Sequence, residues 1–150
     1  MKDQQRAGER RRFFYLLNQS RHVLFKHADR LCRAHLGIST VQLGAIYAIA
    51  EQPGLVQKDL ARALALRESA VTGLVGRMET AGLIERRADP DDRRVIRLYQ
   101  TRRARAMRKK AKPLLGDLNA ELAHGFTEQE LDMVVRFLTT TIDRFARSKK

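Results

Sequence analysis

Apolar residues recur at helical spacing through residues 13–36, with Phe14, Leu17, Leu24, Ala28 and Leu31 on one stripe and Arg21 and His35 at the remaining seam positions. That spacing predicts a long amphipathic helix with a narrow seam. Gly37 is placed to end it, because glycine takes the left-handed conformation that closes a helix without a steric penalty. Immediately after, Ser39 and Gln42 read as a capping box and Ile38 and Leu43 as its hydrophobic staple, opening a second helix that runs to about Glu51. Gln52-Pro53-Gly54 breaks that helix.

Two short helical patterns follow at 57–64 and 67–81, joined by a tight connection around Ala65-Leu66. Leu60, Leu64, Leu66, Val71, Leu74, Val75 and Met78 are expected to face inward, with Ala61 and Ala65 small where the two helices approach. This is helix-turn-helix spacing. Gly82 ends the second helix, and strands are expected at 83–87 and 94–100 around the turn-rich tip Ala88-Asp89-Pro90-Asp91-Asp92-Arg93. A basic-tipped hairpin directly after a helix-turn-helix is a wing.

Beyond Thr101 a helix carries Ala104, Met107, Ala111, Leu114, Leu118 and Leu122 on one face, with a kink expected at Pro113, which removes the bond to the Lys109 carbonyl. After Gly125 a second capping box, Thr127 with Glu130 and the staple Phe126 and Leu131, opens a last helix striped by Leu131, Val134, Val135, Leu138, Ile142 and Phe145. The first helix and the last two offer more apolar stripe than a small central domain can cover, so they are expected to intertwine with a second copy. The fold class is mainly α with a small β-wing: an N-terminal dimerisation helix (1–38), a winged helix-turn-helix domain (39–101) and C-terminal dimerisation helices (102–150).

Composition narrows the function classes. The 150 residues are 43% hydrophobic and 31% charged, enough apolar material for a core and too short for a second catalytic domain. No run of 18 apolar residues could span a membrane, and the charged stretch MKDQQRAGERRRFF lacks the apolar core of a secretory signal, so a cytoplasmic location is expected. The single Cys32 forms no intrachain disulfide; it lies three residues before His35, with His22 and His27 upstream, but no carboxylate completes a metal site. Neither a metal nor a cofactor is expected. The net charge of +13 points to a polyanion, and it is unevenly spread. Residues 102–112 hold seven cations (Arg102, Arg103, Arg105, Arg108, Lys109, Lys110 and Lys112) and no anion, whereas 51–101 hold nine cations against eight anions. No Gly-rich phosphate loop, serine elbow or His-Glu-x-x-His motif is present, so no enzymatic activity is expected.

The segments Gln57-Lys58-Asp59-Leu60-Ala61, Gly82-Leu83-Ile84-Glu85-Arg86-Arg87 and Asp89-Pro90-Asp91-Asp92-Arg93-Arg94, with the helix Ala70 to Glu79 between them, resemble the MarR family of winged helix-turn-helix regulators. The order of elements matches over residues 10–148. The resemblance implies a homodimer whose two winged domains read a pseudo-palindromic DNA operator, more readily as a repressor than as an activator. The chain departs from the pattern in places: Gly73 and Gly76 replace larger polar residues, Arg67 stands where a Ser or Asp cap is common, and Gln100 and Ala104 replace a Leu and a Gly.

With the second helix in the major groove, its outward residues Ser69, Ala70, Thr72 and Gly73 are candidates for double-stranded DNA, with Arg77 further along for phosphate. The resemblance implies that Asp92 fixes Arg94 in the wing while Arg93 or Arg94 enters the minor groove, which of the two being open at this stage. Arg86 and Arg102 complete the candidate DNA contacts. Such regulators release DNA when a small effector, often an aromatic acid or an acyl thioester, binds beside the winged domain; here Phe14, Arg21, His22, Phe25, Ile46 and Tyr47 are the candidate pocket residues. Two alternatives stand beside this one: oxidant sensing through Cys32, and DNA binding without any effector.

Overall fold

The computed structural model describes residues 12–146. The charged stretch at 1–11, read above for a targeting signal, lies outside the described residues. Helix α1 spans Phe13–Leu36 and α2 spans Thr40–Glu51. Strand β1 (Leu55–Val56), α3 (Gln57–Ala63), α4 (Glu68–Thr80), β2 (Ile84–Ala88) and β3 (Ile96–Gln100) follow, then α5 (Arg102–Ala123) and α6 (Glu128–Ala146). The chain falls into two compact units, one ending at Lys112 and the other starting at Pro113.

The local signals act where the sequence places them. Gly37, at φ 69°, donates its N–H to the Arg33 carbonyl and closes α1. The Ser39 hydroxyl accepts the Gln42 N–H at 3.1 Å and the Gln42 side chain accepts the Ser39 N–H at 2.9 Å, so the capping box is reciprocal. Asp29 of α1 adds a third partner, accepting the Thr40 N–H at 2.9 Å with one oxygen and Arg33 at 2.7 Å with the other. This joins the end of α1 to the start of α2. Only the C-terminal half of the α1 stripe is packed inside the unit: Ala28, Cys32 and Leu36 are buried, whereas Phe13, Phe14, Tyr15 and Leu16 are exposed.

The core of the first unit is a layer of Ile46, Ile49, Leu60, Val71, Val75, Met78, Leu83 and Leu98, contributed by α2, α3, α4, the turn after α4 and β3. Leu66 departs from expectation. It is exposed rather than inward, because the α3–α4 turn passes through Ala65 at φ 52°, a left-handed step that swings the next side chain out of the core. The sheet is antiparallel in the order β1-β3-β2, with Leu55 opposite Leu98, Arg86 opposite Leu98 and Ala88 opposite Ile96. Its third strand, β1, is two residues long and carries no periodicity that a sequence reading can detect.

Helix α4 is built below its attainable stability. Its N-cap, Arg67, makes no side-chain cap bond, and two glycines lie in its interior. A Cβ at Gly76 would meet nothing within 4 Å. Gly76→Ala is therefore expected to raise stability by about 0.5–1 kcal/mol, since only the backbone entropy of glycine is removed. Urea unfolding checks it: an unchanged midpoint would show that the helix is not limited by Gly76.

In the second unit, Gly125 at φ 85° ends α5, and Thr127 and Glu130 form the expected capping box, the Thr127 N–H donating to the Glu130 carboxylate at 2.9 Å. Helix α5 continues through Pro113. Helix α6 has no buried residue: Met133, Val134, Val135, Leu138, Ile142 and Phe145 are all exposed along it.

Candidate nucleic-acid interface

Two elements of the first unit turn polar groups outward. Along α4, Val71, Leu74, Val75 and Met78 are buried, which turns Ser69, Ala70, Thr72, Gly73 and Arg77 outward. The Thr72 hydroxyl donates to the Glu68 carbonyl at 3.1 Å, leaving its lone pairs to accept from outside. Arg77 forms no ion pair among the described residues. With no cap at Arg67, the amides of the first turn lack a side-chain acceptor and suit an anion.

The second element is the wing between β2 and β3. Arg94 is clasped by Asp92: its Nε donates to Oδ1 at 3.0 Å, its Nη2 to Oδ2 at 3.1 Å and its backbone N–H to Oδ1 at 3.0 Å. Arg93 is exposed and makes no ion pair among the described residues. The two arginines, equivalent in the sequence, thus differ in the fold. Arg94 is fixed in a bidentate pair and Arg93 is not.

Two other cations are committed to the protein. Arg86 pairs with Glu79 at 3.0 Å, tying β2 to the end of α4, and Arg87 pairs with Glu85 at 2.8 Å while lying 4.6 Å over the Tyr99 ring. Arg86 therefore starts from an ion pair that contact with phosphate must replace. In the basic run of α5, Arg103 donates to the Ala81 carbonyl at 2.8 Å and Arg105 to the Gln100 carbonyl at 3.0 Å. Ala81 is the C-cap of α4, so Arg103 places a cation at the negative end of that helix. Arg102, Lys109, Lys110 and Lys112 are exposed. Charge counting alone does not separate these subsets, because the acceptors are main-chain carbonyls whose position only the folded chain reveals.

The carboxylates of the wing set its response to acid. Asp89 is held below the ordinary aspartate value of 3.8 by the Asp91 amide and then the Arg97 guanidinium, and Asp92 by the Arg94 side chain and amide. A carboxylate with a lowered value in the folded state stabilises that state above its unfolded value and loses the contribution as pH falls through the folded one. The stability contributed by the wing is thus expected to be flat from neutral pH to about pH 5 and to decline below 3.8. Urea midpoints measured down the pH scale check this, and a midpoint falling already between pH 7 and 5 would contradict it.

A crevice of about 530 Å³ opens behind α4 in the same unit. Helix α1 lines it with Arg21, His22, Phe25, Lys26, Asp29 and Arg33, the start of α2 with Ser39, Thr40 and Val41, and α4 with Ala70, Leu74 and Arg77, while Leu66 closes one side. Of the candidate pocket residues it gathers Arg21, His22 and Phe25. Phe14 stands exposed near the start of α1, Tyr47 is half-buried outside the lining, and Ile46 is fully buried in the core, where no ligand can touch it. Thr40 and Arg77 are wall residues that sequence reasoning missed, since neither interrupts a pattern. Cys32 is only 2% exposed, which withholds it from the solvent access that a reactive thiol needs.

Residues 36–95 match the sequence model of the MarR family. Over 124 residues the chain is 27% identical to the uncharacterized HTH-type transcriptional regulator YcgE of Bacillus subtilis (strain 168), covering 83% of this chain and 79% of that one. Among solved structures it is similar to the transcriptional regulator SlyA, with a TM-score of 0.84 at 16% identity over 91% of this chain and 96% of the other. It is also similar to MepR of S. aureus, solved as a complex with DNA, with a TM-score of 0.79 at 22% identity over 88% of this chain and 97% of the other.

Proposed function

We propose that the protein is a transcriptional regulator that binds a pseudo-palindromic operator as a homodimer, a reading supported by the match of residues 36–95 to the sequence model of the MarR family. The observation that carries the reading is the division of labour in the first unit: an outward row of Ser69, Ala70, Thr72, Gly73 and Arg77 on α4, beside a wing with one arginine clasped and one exposed without an ion pair among the described residues. Helix α4 enters the major groove, Arg93 the adjacent minor groove, and Arg102 at the start of α5 meets phosphate. That MepR, of similar fold, was solved as a complex with DNA supports a DNA-binding role. Occlusion of a promoter by such a dimer makes it a repressor.

The dimer is carried by the unburied apolar stripe of α6 in the second unit and, in the first, by the exposed start of α1, since large exposed apolar surface mostly marks an interface. An effector occupies the crevice behind α4. Its cations Arg21, Lys26 and Arg77 and its Phe25 and Leu66 surfaces suit an aromatic acid or the anionic part of an acyl thioester. Because α4 forms one wall, a ligand there acts on the DNA-reading helix directly, and release of the operator follows.

Selection from a random duplex pool tests the reading. The expected outcome is enrichment of one inverted repeat, bound at least about 10³-fold more tightly than a scrambled duplex at physiological salt. Binding that tracks only ionic strength, with no enriched sequence, would reduce the protein to a nonspecific polycation binder. An aromatic acid that raises the melting temperature and weakens binding to the selected duplex in the same concentration range would identify the effector class.

A further inference from the structure

A Cβ built at Gly73 would stand 3.3 Å from Nη1 of Arg77. The Arg77 guanidinium therefore lies back along α4, one turn toward its start, over the gap that the glycine leaves. This is the direction in which long side chains leave a helix, covering the turn N-terminal to their own Cα. A larger residue at 73 would compete for the same space, and Gly73 is a position at which the chain departs from the MarR pattern. The placement changes what Arg77 can reach. Its Cα lies about two turns past Ser69, a distance that by itself points to phosphate. Its guanidinium is instead level with the second turn of α4, in the N-terminal part of the helix, which is where a recognition helix meets base edges. Ala70, Leu74 and Arg77 border the crevice behind α4 together, which fits a side chain lying along the helix rather than standing off it. Arg77 is exposed and forms no ion pair among the described residues, so its donors are free for a ligand.

We propose that Arg77, lying over the space vacated at Gly73, reads a guanine in each half-site and is a determinant of sequence specificity rather than a phosphate contact. This rests on the DNA-binding reading above and adds to it the base and the residue that selects it. Guanine presents two acceptors, O6 and N7, on its major-groove edge, and a guanidinium presents two parallel N–H donors that match them. Adenine sets an N6 donor beside its N7 acceptor, which leaves one of those N–H groups facing another donor. Ser69 and Thr72 carry one hydroxyl each, able both to donate and to accept, and so discriminate less between bases. Within the outward row of α4, Arg77 has the donor pair that can fix one base pair.

Varying protein and duplex together, from the repeat selected out of the random pool, tests the proposal. The repeat is expected to carry a guanine in each half-site whose exchange for adenine weakens the parent protein about 10-fold or more, the size of a bidentate contact. Arg77→Ala is expected to lose that preference, binding the two duplexes within about twofold of each other while discrimination at other positions is kept. Arg77→Lys is expected to lose it too, because a single ammonium has no paired donors to match O6 and N7. Gly73→Leu is expected to lose it by displacing the guanidinium, with a urea midpoint no lower than the parent's, since leucine is the better helix former. A phosphate contact gives the opposite pattern: Arg77→Ala weakens every duplex equally and lowers the slope of log affinity against log salt by about one, and Arg77→Lys restores the parent. That pattern would overturn the proposal, as would a Gly73→Leu protein that keeps the guanine preference. A parent protein that selects no sequence at all is distinguishable from both, and it removes the DNA-binding reading and the proposal with it.

Discussion

Leu138→Glu combined with Ile142→Glu is expected to convert the protein to a monomer and to weaken its hold on a two-half-site duplex by about 10²–10⁴-fold. Both residues lie on the exposed apolar face of α6, a helix with no buried residue among the described ones. A carboxylate carried into an apolar interface must be desolvated without a partner, which costs more than the interface gains there. The affinity loss then follows from geometry rather than from the DNA face. In a dimer, binding of one winged domain places the second at a high effective concentration over the other half-site, and a monomer forfeits that factor. Light scattering gives the mass and a gel shift the affinity. A variant that stays dimeric would move the interface away from α6, and a monomer with undiminished affinity would make each winged domain an independent binder.

The second large effect belongs to the wing. Arg93→Ala with Arg94→Ala is expected to lower operator affinity by about 10- to 100-fold, roughly the 1–3 kcal/mol of a good base-edge contact, while the dimer remains. The two substitutions act differently. Arg93 is exposed and forms no ion pair among the described residues, so its loss removes a contact; Arg94 is clasped by Asp92 at 3.0 and 3.1 Å, so its loss leaves a carboxylate free near phosphate. Arg94→Ala alone should therefore weaken binding mainly through repulsion, and its effect should shrink as salt rises. A double variant with parental affinity would exclude the wing from recognition.

Much of the fold was legible because its signals are local. Gly37, the box of Ser39 with Gln42, and the box of Thr127 with Glu130 each act within four residues, and each closes or opens a helix at the expected place. The outward row of α4 was legible for the same reason, since burying Val71, Leu74, Val75 and Met78 dictates what faces away. Contacts between distant segments were not. Arg97 meets the Gly54 carbonyl across 43 residues, and Arg103 meets the Ala81 carbonyl across 22, with no pattern in either segment to announce them. Leu66 read as core because leucines usually are, and the left-handed turn at Ala65 overrode that preference. Ile46 read as accessible for the opposite reason: α2 is packed on more than one side, and only the assembled core shows it.

The +13 charge also divides along these lines. Part of the α5 cluster serves the protein's own carbonyls, and part stays exposed for a polyanion. A footprint on the selected duplex tests the DNA-binding reading most directly. Two protected major-groove segments about one helical turn apart on one face of the DNA, each flanked by minor-groove protection that disappears in the Arg93→Ala protein, are the expected result. A single continuous protection that ignores sequence and survives loss of Arg93 would contradict it.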